Sequence, residues 1–390
     1  MRKYVVGTAI LLLLASMLYS TPAFALPRGR LGVVGTVNAF AVNPVTDIWT
    51  LTCGRNGRIY GGTGDGNTES CFFWYDPQSG TWTVHQGQIG LEVFALTTGC
   101  DDKIYGGSFK GSDGFGAHFF RYDPINIWSP PINPSDFGRL HTLLGVGPPA
   151  AGHENDVMIY DLETGFGFIY GGSGYDQDYG TYQYAYIFRY NPYTNVWTRW
   201  QAGGWQAVNQ ITIGLDGKVY FTYLHGGGHG FLECNPDLTG VFLRGTLPGH
   251  AAETWTALTT GIDGKIYYSA GRWLGFYDPS VLAFTTLGDV TGSGIRDLTT
   301  GLDGLIYGGD YAGNFFIYAP GKGWNPGTTG GSNPHIFTPV PGEIRIRSLT
   351  TGLIGNDPHV YGGTALGAFL FSYKMYTGDT NNDLTINIID

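Results

Sequence analysis

The chain has 390 residues, among them 64 glycines, 20 prolines, 26 tyrosines, 23 phenylalanines and 10 tryptophans. Glycine and proline are unfavourable inside helices and aromatic residues favour strands, so this composition predicts many short strands joined by tight turns. With 42% hydrophobic and 13% charged residues, the chain can bury a core and is not expected to be disordered. The net charge of −10 argues against nucleic-acid binding, which needs clustered cations.

Residues 1–25 have the three parts of a secretory signal peptide. Arg2 and Lys3 form a charged start, the mostly apolar run Val5–Leu18 follows, and Ala23–Ala25 places small residues at the cleavage position. The alternative is a membrane anchor, but the run is shorter than the ~20 residues that a spanning helix needs. We therefore expect cleavage, no membrane span afterwards, and export of a soluble monomer.

The rest of the chain repeats a segment of the form Leu-Thr-Thr-Gly-x-Asp-Gly-Lys-Ile-Tyr-Gly-Gly. The clear copies are Leu51–Gly62, Leu96–Gly107, Ile211–Thr222, Leu258–Ser269, Leu298–Gly309 and Leu349–Gly363, and a degenerate copy ends at Gly172. The tyrosines that mark the copies are Tyr60, Tyr105, Tyr170, Tyr220, Tyr267, Tyr307 and Tyr361. Consecutive markers are 40 to 65 residues apart, which is the period of a propeller blade.

A second motif follows each marker: an aromatic run that ends in Tyr-Asp-Pro or a relative, as in Phe72–Pro77 and Phe119–Pro124. Asp-Gly or Asn-Gly between apolar runs predicts a two-residue hairpin turn with both positions at positive φ. Asp-Pro predicts a second turn, because the Asp side chain caps the backbone and proline restricts φ. Each unit is therefore expected to form four antiparallel strands, which we label a to d. The fold class predicted is all-β, a seven-bladed β-propeller.

The last repeat provides only three strands, between Ile344 and Tyr373, and the run Leu31–Ala41 belongs to no repeat. We predict that this run is strand d of the last blade, so that the ring closes without an open sheet edge. An alternative treats Phe40–Trp49 as a partial repeat, which would favour eight blades. The predicted organisation is a signal peptide at 1–25, a propeller at 26–376 and a distinct tail at 377–390.

The Gly-Gly pair, the Tyr-Asp-Pro motif and the spaced tryptophans, such as Trp82, resemble those of Kelch-like and related secreted β-propeller repeats. The resemblance covers about residues 31–376. It implies propeller architecture, but propellers of this kind include enzymes, lectin-like binders and scaffolds, so it leaves the activity open.

In a propeller the b–c and d–a connections share one rim, and the a–b and c–d turns share the other. The latter are short and alike in the sequence, so that rim is expected to be structural, whereas the variable b–c and d–a connections predict the functional rim. Flat aromatic rings beside polar groups there suit a sugar. The candidate ligand-binding residues are Tyr175, Tyr179, Tyr182, Tyr184, Trp205, Trp273, His225 and His229. The histidines are alternatively exposed loop residues with no ligand.

Carboxylates on the same rim provide a second hypothesis, since a suitably spaced pair can hydrolyse a glycosidic bond. They are Asp65, Glu69, Asp113, Glu154, Asp156, Asp176, Asp178 and Asp310. No spacing singles out a pair, so we expect a non-catalytic recognition module for carbohydrate or a surface protein. A polysaccharide-active hydrolase or lyase and a structural cell-surface protein are the alternatives. Among the four cysteines, Cys53–Cys100 is the one pairing that this arrangement of strands favours.

After Tyr373 the repeat ends, and the tail has oxygen-bearing side chains at the spacing of an EF-hand calcium loop. The predicted Ca²⁺ ligands are Asp379, Asn381, Asp383, Thr385, Asn387 and Asp390. This run looks like the first half of a type I dockerin, a family that attaches secreted proteins to cohesin domains. Leu384 stands where the family has glycine, and the second half is missing, so docking to cohesin is expected only if a longer protein carries the complete module.

Overall fold

The computed structural model describes residues 30–64, 70–87, 92–109, 116–125, 135–145, 157–175, 185–201, 207–225, 228–246, 257–328 and 332–375. The strands are β1 Arg30–Thr36, β2 Asp47–Cys53, β3 Ile59–Gly64, β4 Cys71–Asp76, β5 Thr81–Gln86, β6 Val93–Thr98, β7 Ile104–Ser108, β8 His118–Tyr122, β9 Ser135–Arg139, β10 Val157–Gly165, β11 Phe168–Tyr175, β12 Tyr186–Asn191, β13 Val196–Gln201, β14 Ala207–Ile213, β15 Val219–His225, β16 Gly228–Cys234, β17 Phe242–Thr246, β18 Leu258–Thr260, β19 Ile266–Ala270, β20 Trp273–Asp278, β21 Ala283–Asp289, β22 Ile295–Thr300, β23 Ile306–Asp310, β24 Phe315–Tyr318, β25 His335–Phe337, β26 Ile346–Ile354, β27 Asp357–Thr364 and β28 Phe369–Lys374. The helical segments in these ranges are a 3₁₀ turn at Val37–Ala39 and a short α-helix at Leu140–Leu143.

The strands form seven antiparallel groups of four in chain order. Blades 1 to 6 are β2–β5, β6–β9, β10–β13, β14–β17, β18–β21 and β22–β25, and blade 7 is β26–β28 with β1. Blades 3 and 4 are also joined at one residue pair, Gly174 with Ala207. The first strand of each blade contacts the first strand of the next, and β26 contacts β2, so the inner strands close a ring. The protein is a seven-bladed β-propeller.

The N-terminal strand completes the last blade. β1 pairs antiparallel with β28, from Arg30 opposite Lys374 to Thr36 opposite Phe369. The prediction that this segment closes the ring is confirmed, although the strand ends at Thr36 because the 3₁₀ turn begins there. Residues 40–46 then lead directly into β2, so the alternative of an eighth blade is wrong.

The Gly-Gly pair of the repeat is explained by packing on both faces of strand b. A Cβ on Gly106 would lie 2.0 Å from the ring of Phe120 in strand c of the same blade. A Cβ on Gly107 would lie 2.5 Å from Ile159 in strand a of the next blade. Equivalent close approaches occur at Gly61 and Gly62, at Gly171 and Gly172, at Gly308 and Gly309, and at Gly362 and Gly363. The first glycine therefore admits an aromatic ring, and the second brings neighbouring blades together.

The turn between strands a and b differs from the predicted two-residue turn. In blade 1 the Gly54 nitrogen donates to Arg58 O and the Gly57 nitrogen donates to Gly54 O, and Gly57 has φ +78° whereas Asn56 does not adopt positive φ. This is a type I turn followed by a glycine bulge. Two hydrogen bonds of the Asn56 side chain favour this turn over one with positive φ at Asn56. Its Oδ1 accepts the Arg58 N–H, and its Nδ2 donates to the Tyr60 hydroxyl.

In the Asp-Gly copies the same side chain has two roles. Asp216 accepts the Lys218 N–H at 3.3 Å and the Tyr220 hydroxyl at 2.6 Å. The marker tyrosine is thus held by the turn that precedes it, and its ring is fully buried. In blade 7 the aspartate at the same offset, Asp357, accepts from Lys374 Nζ instead, and the buried hydroxyl of Tyr361 has no hydrogen-bond partner in the described residues.

These two tyrosines form a matched pair for mutagenesis. We expect Tyr220→Phe to lower the free energy of unfolding by about 1 kcal/mol, because it deletes a hydrogen bond to a carboxylate. Tyr361→Phe should leave the free energy of unfolding unchanged or raise it, because the lost hydroxyl is buried without a partner. Urea denaturation of both variants measures this. Equal losses in the two variants would contradict the assigned role of the turn aspartate.

The other predicted features have mixed outcomes. Asp76 caps the c–d turn of blade 1 by accepting the Gln78 and Ser79 N–H groups, as predicted. The prediction that all c–d connections are short is wrong, because residues 123–134 of blade 2 and 319–334 of blade 6 form long ones. In both blades the connection joins the two outer strands, away from the inner strand of the ring.

All four cysteines have free thiols. The predicted Cys53–Cys100 disulfide is therefore not formed. A Cβ on Gly352 would lie 3.0 Å from Cys53 Sγ, so this thiol lies against blade 7, on the side away from blade 2 where Cys100 is found. Cys53 also packs with Ile354 of blade 7 in one hydrophobic cluster.

Candidate functional site

A β-bulge recurs in the innermost strand of six blades, always two residues before the Leu or Ile of the repeat. In blade 1 the register of β2 with β3 shifts between Ile48 and Thr50, which leaves Trp49 as the extra residue. The six bulged residues are Trp49, Phe94, Tyr160, Asn209, Arg296 and Arg347. Thr256, the corresponding residue of blade 5, lies outside the described residues. A bulge redirects a side chain without breaking the sheet, and all six bulged residues line one cavity.

This cavity is the central channel of the propeller. It has a volume of about 1170 Å³ and is lined by the first strands of all seven blades. Since chain direction places the start of strand a at the d–a rim, the bulged residues form the mouth on the rim predicted to be functional. The Leu or Ile of the repeat, two residues later, is nearly constant, whereas the bulged residues are of five types, so the mouth has no rotational symmetry.

The mouth carries an aromatic and cationic arc. The Arg347 guanidinium carbon lies 3.7 Å from the centroid of the Trp49 ring, a close cation–π stack, and that of Arg296 lies 5.6 Å from it. Trp49 packs on Phe94, with 4.5 Å between centroids, and its Nε1 donates to Gly64 O. Phe109 packs edge-on to Phe94 at 6.3 Å. The Trp49 ring is thereby held between the arginines and the phenylalanines.

Both arginines are desolvated. Nε of Arg347 donates to Asp47 Oδ1 at 3.2 Å, and both residues are more than nine-tenths buried. Burial lowers the pKa of Arg347, an effect that Asp47 opposes. Arg296 donates to the Tyr311 hydroxyl, and burial, reinforced by Arg347 and Arg345, lowers the pKa of Arg296 to about 10. A local cluster of positive charge is thus present at the channel mouth of a protein whose net charge is −10.

Next to the bulges, polar side chains join neighbouring inner strands. Thr50 Oγ1 accepts the Leu96 N–H, Asp161 Oδ2 accepts the Ile211 N–H, and Asp297 Oδ2 accepts the Leu349 N–H. Deeper in the channel, threonine hydroxyls from adjacent blades pair at 2.9 to 3.2 Å. The pairs are Thr52 with Thr98, Thr97 with Thr164, Thr212 with Thr260, and Thr259 with Thr300. These contacts stabilise the ring below the mouth.

Three half-buried carboxyl groups along the channel have raised pKa values because the surrounding protein desolvates them. Burial raises the pKa of Asp297 to about 7, although the Leu349 and Leu298 N–H groups oppose the shift. Burial likewise raises the pKa of Glu163 to about 7 and that of Asp161 well above its usual range. Such carboxyls are candidates for acid–base chemistry, but both oxygens of Asp161 and of Asp297 already accept main-chain N–H groups.

A raised carboxyl pKa makes stability depend on pH. The unfolded chain releases the Asp297 proton near pH 4, whereas the folded protein keeps it until about pH 7. The stabilising contribution is therefore complete below pH 4 and is lost as the pH rises through 7. We expect the melting temperature to fall between pH 5 and pH 8, and Asp297→Asn to reduce that difference, as measured by calorimetry at both pH values.

Asp278→Asn is the control for this experiment. Hydrogen bonds from the Ser280 hydroxyl and main chain hold the pKa of Asp278, a partly exposed residue at the end of β20, below its usual range. It is ionised at both pH values, so its replacement should leave the pH difference unchanged. A wild-type melting temperature that is flat from pH 5 to pH 8 would contradict a protonated Asp297.

Most of the ligand residues predicted from sequence lie outside the described residues, or only their main chain is described. These are Tyr175, Tyr179, Tyr182, Tyr184, Trp205 and His225. Trp273 is partly buried at the start of β20, where the Arg272 guanidinium lies 5.8 Å from its ring centroid. His229 is 3% exposed and lies within β16. Asp310, among the predicted carboxylates, is fully buried and caps the b–c turn of blade 6 by accepting the Ala312 and Asn314 N–H groups.

Sequence reasoning missed the residues of the mouth because they lie inside a repeat that otherwise reads as structural. The sequence did contain a signal for them. When the repeats are aligned on their first Leu, the position two residues earlier is occupied by different residue types, as in Trp49, Phe94 and Arg296. Arg347 stands at the same position in the last repeat. Variation at a fixed place within near-identical repeats marks positions that the fold does not constrain. The ligand-binding residues were predicted in the long b–c and d–a connections of the rim instead.

The described part of the chain contains no group of three or more His, Cys, Asp or Glu side chains arranged to hold a metal ion. The predicted calcium ligands, Asp379, Asn381, Asp383, Thr385, Asn387 and Asp390, lie outside it. Within the described residues, no helix has the length and apolar character to cross a membrane.

Solved structures similar to this fold are β-propellers of diverse function. A catalytically inactive virginiamycin B lyase from Staphylococcus aureus with quinupristin has a TM-score of 0.63 at 11% identity, covering 90% of this chain and all of that chain. A streptogramin B lyase has a TM-score of 0.61 at 13% identity, with 88% and 97% covered. The WD40 β-propeller domain of Doa1 has a TM-score of 0.58 at 11% identity, with 88% and 98% covered. No protein family model and no curated protein sequence matches the chain. At these identities the likeness shows the fold alone.

Proposed function

We propose that the protein is a secreted recognition module that binds carbohydrate at the mouth of its channel. The observation that carries the proposal is the set of bulges, which turn six side chains of five types, from six blades, into one cavity. The Phe94 and Tyr160 rings provide apolar surface for sugar C–H groups, Trp49 holds Arg347 in place beside them, and Asn209 and Arg347 provide hydrogen bonds for polar groups of the sugar. The site lies on the rim where the sequence predicts the loop tyrosines to bind, and those residues stay a prediction.

A polysaccharide-active enzyme is the second candidate, because Asp161, Glu163 and Asp297 line the same cavity and have raised pKa values. A carboxyl with a pKa near 7 is suited to general acid–base catalysis. We favour recognition over catalysis because both carboxyl oxygens of Asp161 and of Asp297 accept hydrogen bonds from main-chain N–H groups. One of these bonds in each case comes from the next blade, so a structural role in joining blades accounts for both residues.

Export and attachment are parts of the same proposal. The signal peptide at 1–25 would direct secretion, and the dockerin-like run at 377–390 would bind Ca²⁺ and, within a complete module, a cohesin partner. The resemblance of the repeats to Kelch-like propellers is compatible with a recognition role, and equally with the other functions of such propellers.

A glycan array followed by a reducing-end assay tests the function. We expect the full chain to bind a subset of polysaccharides and to release no new reducing ends. Absorbance of unsaturated sugars, read in parallel, detects lyase activity. Turnover that Asp297→Asn or Glu163→Gln abolishes would favour the enzyme, and absence of binding to any glycan would contradict the proposal.

A further inference from the structure

Two buried polar side chains at the channel mouth have hydrogen-bonding capacity that the fold does not use. Arg347 is 9% exposed, and among the described residues its side chain makes one hydrogen bond, from Nε to Asp47, so its terminal amino groups remain available. Asn209 is also 9% exposed, and its Oδ1 accepts no hydrogen bond in the described part of the chain. Buried polar atoms are normally paired, so Asn209 Oδ1 points to a ligand, and the terminal amino groups of Arg347 are free to bind one at the same mouth.

The two groups lie across the channel from each other. Arg347 belongs to blade 7 and Asn209 to blade 4, and the ring order places Trp49, Phe94 and Tyr160 of blades 1, 2 and 3 between them. The donor groups, the aromatic faces and the acceptor therefore follow one another along the rim of the cavity. A ligand that reaches both ends has an anionic group at one end, a C–H-rich body, and a hydroxyl or amide donor at the other.

We propose that this mouth binds an acidic saccharide: a carboxylate pairs with the terminal amino groups of Arg347 beside Arg296, a sugar ring lies on the aromatic arc, and a hydroxyl donates to Asn209 Oδ1. The inference rests on the proposed function and names its ligand class. A planar guanidinium stacked on tryptophan presents its two amino groups in the plane that a carboxylate matches.

Charge and size both favour such a ligand. Arg296, Arg345 and Arg347 repel one another, which contributes to the lowered pKa of Arg296, and a bound anion relieves that repulsion. Four carboxyls line the same channel, those of Glu92, Asp161, Glu163 and Asp297. The pKa values of Glu163 and Asp297 are near 7 and that of Asp161 is well above its usual range, so these three carry reduced negative charge at neutral pH. The cavity of about 1170 Å³ exceeds the roughly 300–1,000 Å³ typical of small-ligand pockets, which gives room for an oligosaccharide.

The test compares two ligands that share one sugar backbone and differ in whether their carboxyl groups are ionised or carry a methyl group. Calorimetric titration of the full chain with an oligogalacturonate and with its methyl ester, in the presence of a chelator, separates charge recognition from sugar recognition and from calcium bridging. We expect the acid to bind at least about tenfold more tightly than the ester, because charge-assisted hydrogen bonds to guanidinium are lost in the ester. Its affinity should fall with added salt.

Variants locate the site. Arg347→Gln should weaken binding of the acid by about tenfold or more while leaving the ester little changed. Because Arg347→Gln leaves Asp47 buried without its cation, a second variant, Asn209→Asp, is needed. This substitution keeps the shape of the side chain and an acceptor oxygen. Its negative charge should weaken binding of the acid about tenfold and leave binding of the ester unchanged. Arg55→Gln is the control, because Arg55 is an exposed partner of Asp102 in an a–b turn on the opposite rim.

The outcomes separate this inference from the function on which it rests. Equal affinity for acid and ester, independent of salt, would overturn the acidic ligand and leave carbohydrate recognition standing. Binding of the acid that neither Arg347→Gln nor Asn209→Asp weakens would overturn the assigned site. If neither these oligosaccharides nor the wider glycan array bound, both proposals would fall together.

Discussion

Gly106→Ala should lower the free energy of unfolding by about 1–3 kcal/mol, because an added methyl group would lie 2.0 Å from the Phe120 ring and would force the aromatic residue out of its rotamer. Phe120 is buried between blades 1 and 2, in the cluster that contains Tyr60 and Phe72, so the ring has no free volume into which it can move. Chemical denaturation of the purified protein measures the loss.

Gly32→Ala is the matched control for Gly106→Ala. Gly32 also lies in a strand, but a Cβ there would meet no atom within 4 Å, so we expect stability to change by less than about 1 kcal/mol, towards greater stability. A double variant with Phe120→Ala tests the cause: if the clash is responsible, the two single losses should not add. A Gly106→Ala protein as stable as the wild type would contradict this account of the Gly-Gly pair.

Deletion of residues 30–36 should produce the second large effect, because it removes the strand that closes the ring. Six residue pairs join β1 to β28, and their hydrogen bonds, at about 0.5–1.5 kcal/mol each, together provide several kcal/mol. Leu31 and Val34 also pack against the clusters on the two sides of blade 7. The exposed edge of β28 should then pair with other molecules. Size-exclusion chromatography should show oligomers, and the melting temperature should fall steeply.

A substitution within the same strand controls for the deletion. Val33 is half exposed, unlike its neighbour Val34. We expect Val33→Asp to stay monomeric with nearly unchanged stability and Val34→Asp to be strongly destabilised, since it places a charge in the core. A monomeric deletion protein with an unchanged melting temperature would show that closure by β1 is dispensable.

The local motifs determined much of the fold because each one acts over a few residues. The marker tyrosines gave the number of blades, the three-stranded last repeat indicated closure by the N-terminal strand, and the Asp of the c–d turn caps the backbone as its position predicts. The a–b turn was predicted at the right place with the wrong geometry. Propensity alone favours positive φ at both central positions, but the hydrogen bond from Asn56 to the Tyr60 hydroxyl selects a type I turn with a bulge.

The cysteine pairing and the site were beyond what local patterns determine. Whether Cys53 Sγ lies against blade 7 or blade 2 depends on the direction of one side chain within the closed ring. Bulges such as those at Trp49 and Arg347 depend on register between neighbouring strands, and register is a property of the assembled sheet.

By itself the sequence determined that the protein is a closed ring of seven similar sheets, because turn chemistry, aromatic spacing and glycine positions are short-range and repeated. Only the tertiary structure decided that the channel mouth, rather than the long connections, holds the described candidate site. Residues such as Arg347 and Asn209, 138 positions apart in the chain, face one cavity because ring closure brings unlike members of one repeat column together. No pattern within a single repeat carries that information.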